Sequence, residues 1–286
     1  SLKATGVSPA QIASIGLAAA AMVVGQAYMT EISDSLQRID AKLESIASMI
    51  AGDQKAKVKN ALDIARTYAA LHDDYLQKPA EARQAARNEI EGRYNDVGQV
   101  IDWITEQLAG VEDGVRSAAE REKDLEPLLK EIQSYEAQFG MCLQALSALA
   151  MTRMYYDGSM DDRSALIEEQ RILDKSQGFL KKRQVLAALM EMKIGGMKGA
   201  PIALPRGTQG NALKRLVSQT PRAAAKEQLL EAKVEMRTSL RSGESKLRSE
   251  AEDRKGEIER IAAASRTART LLTDGTDCWL IDDKKD

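Results

Sequence analysis

Ile32, Leu36, Ile39, Leu43, Ile46 and Ile50 recur at alternating spacings of four and three, with Asp, Glu, Lys, Arg and Ser filling the gaps. An apolar period of about 3.5 residues keeps one stripe of a helix turned toward a partner helix. This stretch is therefore expected to be helical and to form a self-association seam, pairing within the chain or with a second copy. The phase extends backwards through Met29, Gly25 and Met22. One helix from Pro9 to Ile50 is the economical reading, with Ser8 as N-cap, Pro9 in the first helical position and Gly52-Asp53 as its end.

Composition supports helix along the rest of the 286 residues. Aromatics are 4% of the chain, with 2 Phe and 2 Trp, while charged residues are 29%. Ala, Leu, Glu, Lys, Arg and Gln dominate; they lose little rotamer freedom in a helix, and β-branched runs suited to strands are nearly missing. The fold class predicted is all-α: an elongated bundle of long antiparallel helices with coiled-coil packing and a thin core.

A second helix is expected over about 54–77, on Val58, Leu62, Tyr68, Leu71 and Tyr75, broken at Lys78-Pro79. Helical pattern resumes at Ala80 through Ile90, Val97, Ile101, Ile104 and Leu108 and stops near Gly110. Another stretch covers 111–156, with Pro127 as a kink or junction and the most apolar run of the middle at Phe139 to Tyr156. The next spans 161–194, with Ile167, Leu173, Leu180, Val185, Leu189 and Met192 as its buried face. From Gly195 to Gly210 there are five Gly and two Pro in sixteen residues, which reads as a loop or hinge. A short helix at 211–218 precedes Thr220-Pro221, the start signal of a last helix to about Leu272, ended by Asp274-Gly275. The domain reading is a bundle over 1–194 with the apolar N-terminal helix 9–50, a Gly/Pro-rich loop over 195–219, a long polar helix over 220–274 packing on the bundle, and a tail over 275–286 with an exposed Trp279-Leu280-Ile281.

Residues that carry chemistry do not cluster. His72 is the sole histidine, beside Asp73 and Asp74 on a helix, and nothing marks a nucleophile for it. Cys142 and Cys278 are too far apart for a metal knuckle, and Cys142 lies in an apolar run that reads as buried. The acidic pairs Asp73-Asp74, Asp161-Asp162, Glu168-Glu169 and Asp282-Asp283 read as solvated helix faces. No phosphate-binding Gly-rich loop follows a strand. The 41 basic and 43 acidic residues interleave to a formal charge of -2, and the clusters at Lys55 to Lys59, Lys181-Lys182-Arg183 and Lys214-Arg215 lack aromatic interleaving. Nucleic acid is not an expected partner. Neither cofactor, metal nor small-molecule substrate is expected, and the chain is read as no enzyme.

From Ala4 to Thr30 no residue is charged. Ile12, Ile15, Leu17, Met22, Val23, Val24 and Met29 make this a candidate membrane or core segment, long enough to cross a bilayer. Its alanines, with Gln11, Ser14 and Gln26, make insertion of a lone helix marginal, whereas Gly16, Ala20, Ala21 and Gly25 allow helices close together. Lys3 ahead of small apolar residues also outlines a secretory signal, the weaker reading. In layout the chain resembles α-helical pore-forming toxins, whose long helices shield an uncharged element; the resemblance is architectural, rests on no motif and transfers no residue. The partner expected is a protein or a second copy, through helices, with a lipid bilayer as the alternative. Location follows suit: soluble in the cytoplasm, or membrane-associated.

Overall fold

The computed structural model describes residues 52–71, 79–157, 162–198 and 226–247, with shorter pieces at 32–34, 36–37, 39, 249, 256, 271–273 and 278–280. It is an all-α bundle. Its helices are α1 (Gly52–Ala70), α2 (Ala80–Ser117), α3 (Glu122–Asp157), α4 (Asp162–Gly196) and α5 (226–247). The segment 4–30, the residues 199–225, His72 and the expected helix at 211–218 lie outside the described residues.

Periodic burial explains each helix. In α1, Val58, Ala61, Leu62, Ala65, Tyr68 and Ala69 are buried at helical spacing. Pro79 stands just ahead of α2, where its missing N–H is harmless, and its carbonyl accepts from the Ala82 N–H at 3.1 Å. The expected face of α2 is the observed one: Ile90, Val97, Ile101, Ile104 and Leu108 are buried. Its end is not where Gly110 suggested, because α2 runs on to Ser117. Val111 and Val115 continue the buried stripe. Burying an aliphatic side chain is worth about 1.5–3 kcal/mol, which outweighs the roughly 1 kcal/mol that a helical glycine costs. The break falls instead at Ala118 to Arg121. Pro127 lies exposed inside α3, which continues through it.

The expectation for α4 is corrected in phase. Ile167, Leu173, Leu180, Val185 and Met192 are exposed, and the buried stripe is Ala165, Glu168, Ile172, Ser176, Phe179, Arg183, Leu186, Met190 and Ile194. The chain's end also differs from the expected helix: Leu271–Thr273 (β1) and Cys278–Leu280 (β2) pair antiparallel, Leu271 opposite Leu280 and Thr273 opposite Cys278. Asp274-Gly275, read as a helix stop, is equally a hairpin signal between two short apolar runs.

Two compact units divide the chain. The first takes residues 1–101, 140–176 and 250–286; the second takes 102–139 and 177–249. The division cuts α2, α3 and α4 rather than falling at the Gly/Pro-rich stretch. In the first unit Tyr68 packs edge-on to Tyr156, and the Tyr156 hydroxyl donates to the Tyr68 carbonyl at 2.8 Å. In the second, the chain's two phenylalanines, Phe139 and Phe179, stack with centroids 3.9 Å apart.

Candidate functional site

Each unit buries a guanidinium. In the first, Arg153 of α3 lies in the run from Phe139 to Tyr156, whose apolar neighbours carry it into the core. It donates to Glu91 of α2 and pairs with Glu168 of α4. Arg171, one turn after Glu168, reaches Glu91 at 2.6 Å and Glu168 at 3.5 Å, and its guanidinium lies 4.7 Å from the Tyr94 ring centre. Two cations thus share two carboxylates over an aromatic face. Burial pushes the Tyr94 hydroxyl up to about 12, with Arg171 pulling the other way.

In the second unit Arg183 of α4 is the hub. Its Nε donates to Glu136 of α3 at 2.7 Å, one Nη to Glu244 of α5 at 3.2 Å and the other to the Leu240 carbonyl at 2.8 Å. Burial raises the Glu136 carboxyl above its ordinary value, and the bonded Arg183 opposes that shift. Two lysines close helix ends nearby. Lys193 donates to the Arg116 and Ala118 carbonyls at 2.9 and 2.8 Å, and Lys233 donates to the Gly195 carbonyl at 2.9 Å. Carbonyls at a helix C-terminus lack intrahelical partners and attract such cations.

In both centres the buried carboxylates are already engaged by guanidinium, so what the geometry does is hold three helices in one register. The reading of Glu168-Glu169 as a solvated face is corrected for Glu168, which is buried because partners from other helices meet it, as is Arg183. Cys142 is buried as expected, and burial lifts its thiol to about 12.

With Glu168 and Arg183 of α4 turned inward, large apolar residues of the helix face out. Leu166, Ile167, Leu173, Leu180, Val185 and Met192 are between 42% and 64% exposed. Single exposed leucines are ordinary, but six large apolar side chains on one helix are not. Leu166, Gln170, Leu173, Gln177, Leu180, Gln184 and Ala187 recur at alternating spacings of four and three, the pattern of a helix-pairing seam. All of them except the half-buried Ala187 are exposed. That spacing was the available signal for this face.

Of the seam expected near the N-terminus, Ile32, Leu36 and Ile39 are helical and buried within the single chain. Leu43, Ile46 and Ile50 lie outside the described residues, as do Ile12, Ile15, Leu17, Met22, Val23, Val24 and Met29. Among the described residues, no helix is long and apolar enough to cross a membrane, and no group of three or more His, Cys, Asp and Glu is placed to hold a metal ion. No protein-family model, curated protein or solved structure matches the chain.

Proposed function

We propose that the chain is a non-enzymatic helical interaction and assembly protein whose outward α4 face docks against a partner helix. The observation that carries this reading is the exposed seam from Leu166 to Ala187 flanked by Ile167, Val185 and Met192. Removing apolar surface from water at about 25 cal/mol per Å² favours covering such a face. The buried centres support the same role, since they hold the helix that presents the seam. The uncharged segment 4–30 calls for cover as well, from the bundle or from an assembly.

Sedimentation velocity tests the reading, run on the chain alone and with a synthetic peptide of leucine heptads. Association of either kind is expected, and Leu173→Glu with Leu180→Glu should abolish it while the circular dichroism spectrum is unchanged. Absence of both kinds of association in the parent chain would sink the proposal. If the chain instead floats with liposomes and makes them leak, and a variant lacking residues 1–30 does not, insertion of the uncharged segment into a bilayer replaces it.

A further inference from the structure

We infer that the partner of the α4 face is a second copy of this chain, docked α4 against α4 in opposite directions about a two-fold axis close to Gln177 and Gly178. The inference rests on the reading of that face as a helix-docking surface and adds the identity of its occupant. Pairing of identical chains about a two-fold axis needs a self-complementary surface, and α4 carries one in its sequence order.

The seam alternates Leu166, Gln170, Leu173, Gln177, Leu180, Gln184 and Ala187. When two such helices run in opposite directions, residues of the leucine row lie level with residues of the glutamine row of the other helix. An axis near Gln177 and Gly178 sets Leu180 of one copy beside Gln177 of the other, Leu173 beside Gln184, and Ala187 beside Gln170. Each of these layers then combines one apolar residue with one amide, and none places two glutamines together; Leu166, at the end of the seam, lies level with Glu191. The seam covers 22 positions, about 33 Å of helix at 1.5 Å per residue.

Charge fixes the direction. Ile167, Asp174, Lys181 and Ala188 form the row on one flank of the seam, and all four are exposed. In an antiparallel pair this flank faces the same flank of the other copy, so Asp174 lies within a turn of Lys181 across the interface, twice by symmetry. In a parallel pair the flank faces the opposite one, and these two charges do not meet. The single acid and single base of the row are thus complementary to each other in only one of the two orientations. No charge sits within the seam itself, which is what a helix face meant for a neighbour rather than for water presents.

Light scattering and cross-linking of the full chain test the proposal. The parent chain is expected at twice its monomer mass. Asp174→Lys should weaken the dimer by roughly tenfold, and Asp174→Lys combined with Lys181→Asp should restore it. In a Cys278→Ser background, Gln177→Cys should be joined to its counterpart by a short bismaleimide, because both thiols sit near the axis. Leu166→Cys should not be joined, its two copies being more than about 30 Å apart along the helix. Cross-linking of Leu166→Cys as well as Gln177→Cys would mean parallel pairing and overturn the proposed geometry. A monomeric chain that still binds the leucine-heptad peptide through Leu173 and Leu180 would overturn self-docking and leave the docking face standing. A monomer that binds neither would remove both.

Discussion

The two buried arginines, Arg153 in the first unit and Arg183 in the second, are surrounded by the same residue types and differ in how the charge is shared. Around Arg153 two guanidiniums serve Glu91 and Glu168, so each carboxylate has a second cation within reach. Around Arg183 one guanidinium donates to Glu136, to Glu244 and to the Leu240 carbonyl, and the other cation acting on Glu136, Lys246, does so through its charge. The first centre is redundant and the second has a single hub. A buried charge left without its partner is what destabilises, so redundancy should decide how each centre tolerates loss of its arginine.

The largest effect is therefore expected at the hub. Arg183→Met should lower the unfolding free energy by about 3–5 kcal/mol, because it leaves Glu136 buried beside the like-charged Glu244. Urea unfolding followed by circular dichroism measures it. Arg153→Met should cost less, about 2 kcal/mol, since Arg171 remains on both carboxylates. Equal losses from the two variants would break the comparison.

Glycine packing sharpens it. A Cβ added at Gly243 of α5 would run into the Glu136 carboxylate. That carboxylate is buried and held by Arg183, so Gly243→Ala should cost about 1–2 kcal/mol through displacement of the pair.

Charge at Glu136 can be separated from its hydrogen bond. Its folded-state pKa is raised, so the folded chain binds the proton more tightly than the unfolded one. The associated stability is fully present below the ordinary carboxylate value and is lost as pH rises through the folded value. Glu136→Gln removes this dependence while keeping an acceptor for Arg183. The variant should sit about 1 kcal/mol from the parent at neutral pH, and the difference should move in the variant's favour as pH rises from 4.5, where the side chain ordinarily titrates, to 7. A constant difference across that range would show that the shift is not felt by the fold.

Much of this architecture is legible in sequence, and the face of α4 is the exception whose cause lies in long-range partners. The α2 stripe of Ile90, Val97, Ile101, Ile104 and Leu108 was readable because its polar residues lie elsewhere on the helix. On α4 apolar residues occur on both faces, so periodicity alone favoured the wrong one. What decides the phase is that Glu168 and Arg183 have partners on α2, α3 and α5, far away in sequence. A rule that sends charges outward fails wherever such partners exist. The outward seam of α4 was written in its Leu and Gln spacing all along, yet it becomes recognisable as a docking face only once the opposite face is known to be occupied.

The smallest expected effect is the control for the hub. A Cβ at Gly196, the last residue of α4, would approach the Glu120 carboxylate to 2.5 Å, a clash of the same kind as at Gly243. Glu120 is exposed and bound to no guanidinium among the described residues, so it can swing into solvent. Gly196→Ala also restricts the unfolded chain, which is worth about 0.4–1 kcal/mol where the backbone permits alanine. The net change should be within about 0.5 kcal/mol of zero or slightly stabilising, read as a shift of the urea midpoint beside Gly243→Ala. If the two glycine variants lose stability equally, a carboxylate near a new Cβ is costly wherever it sits. If only Gly243→Ala does, the cost comes from prying Glu136 away from Arg183, which is the property that sets the single-hub centre apart.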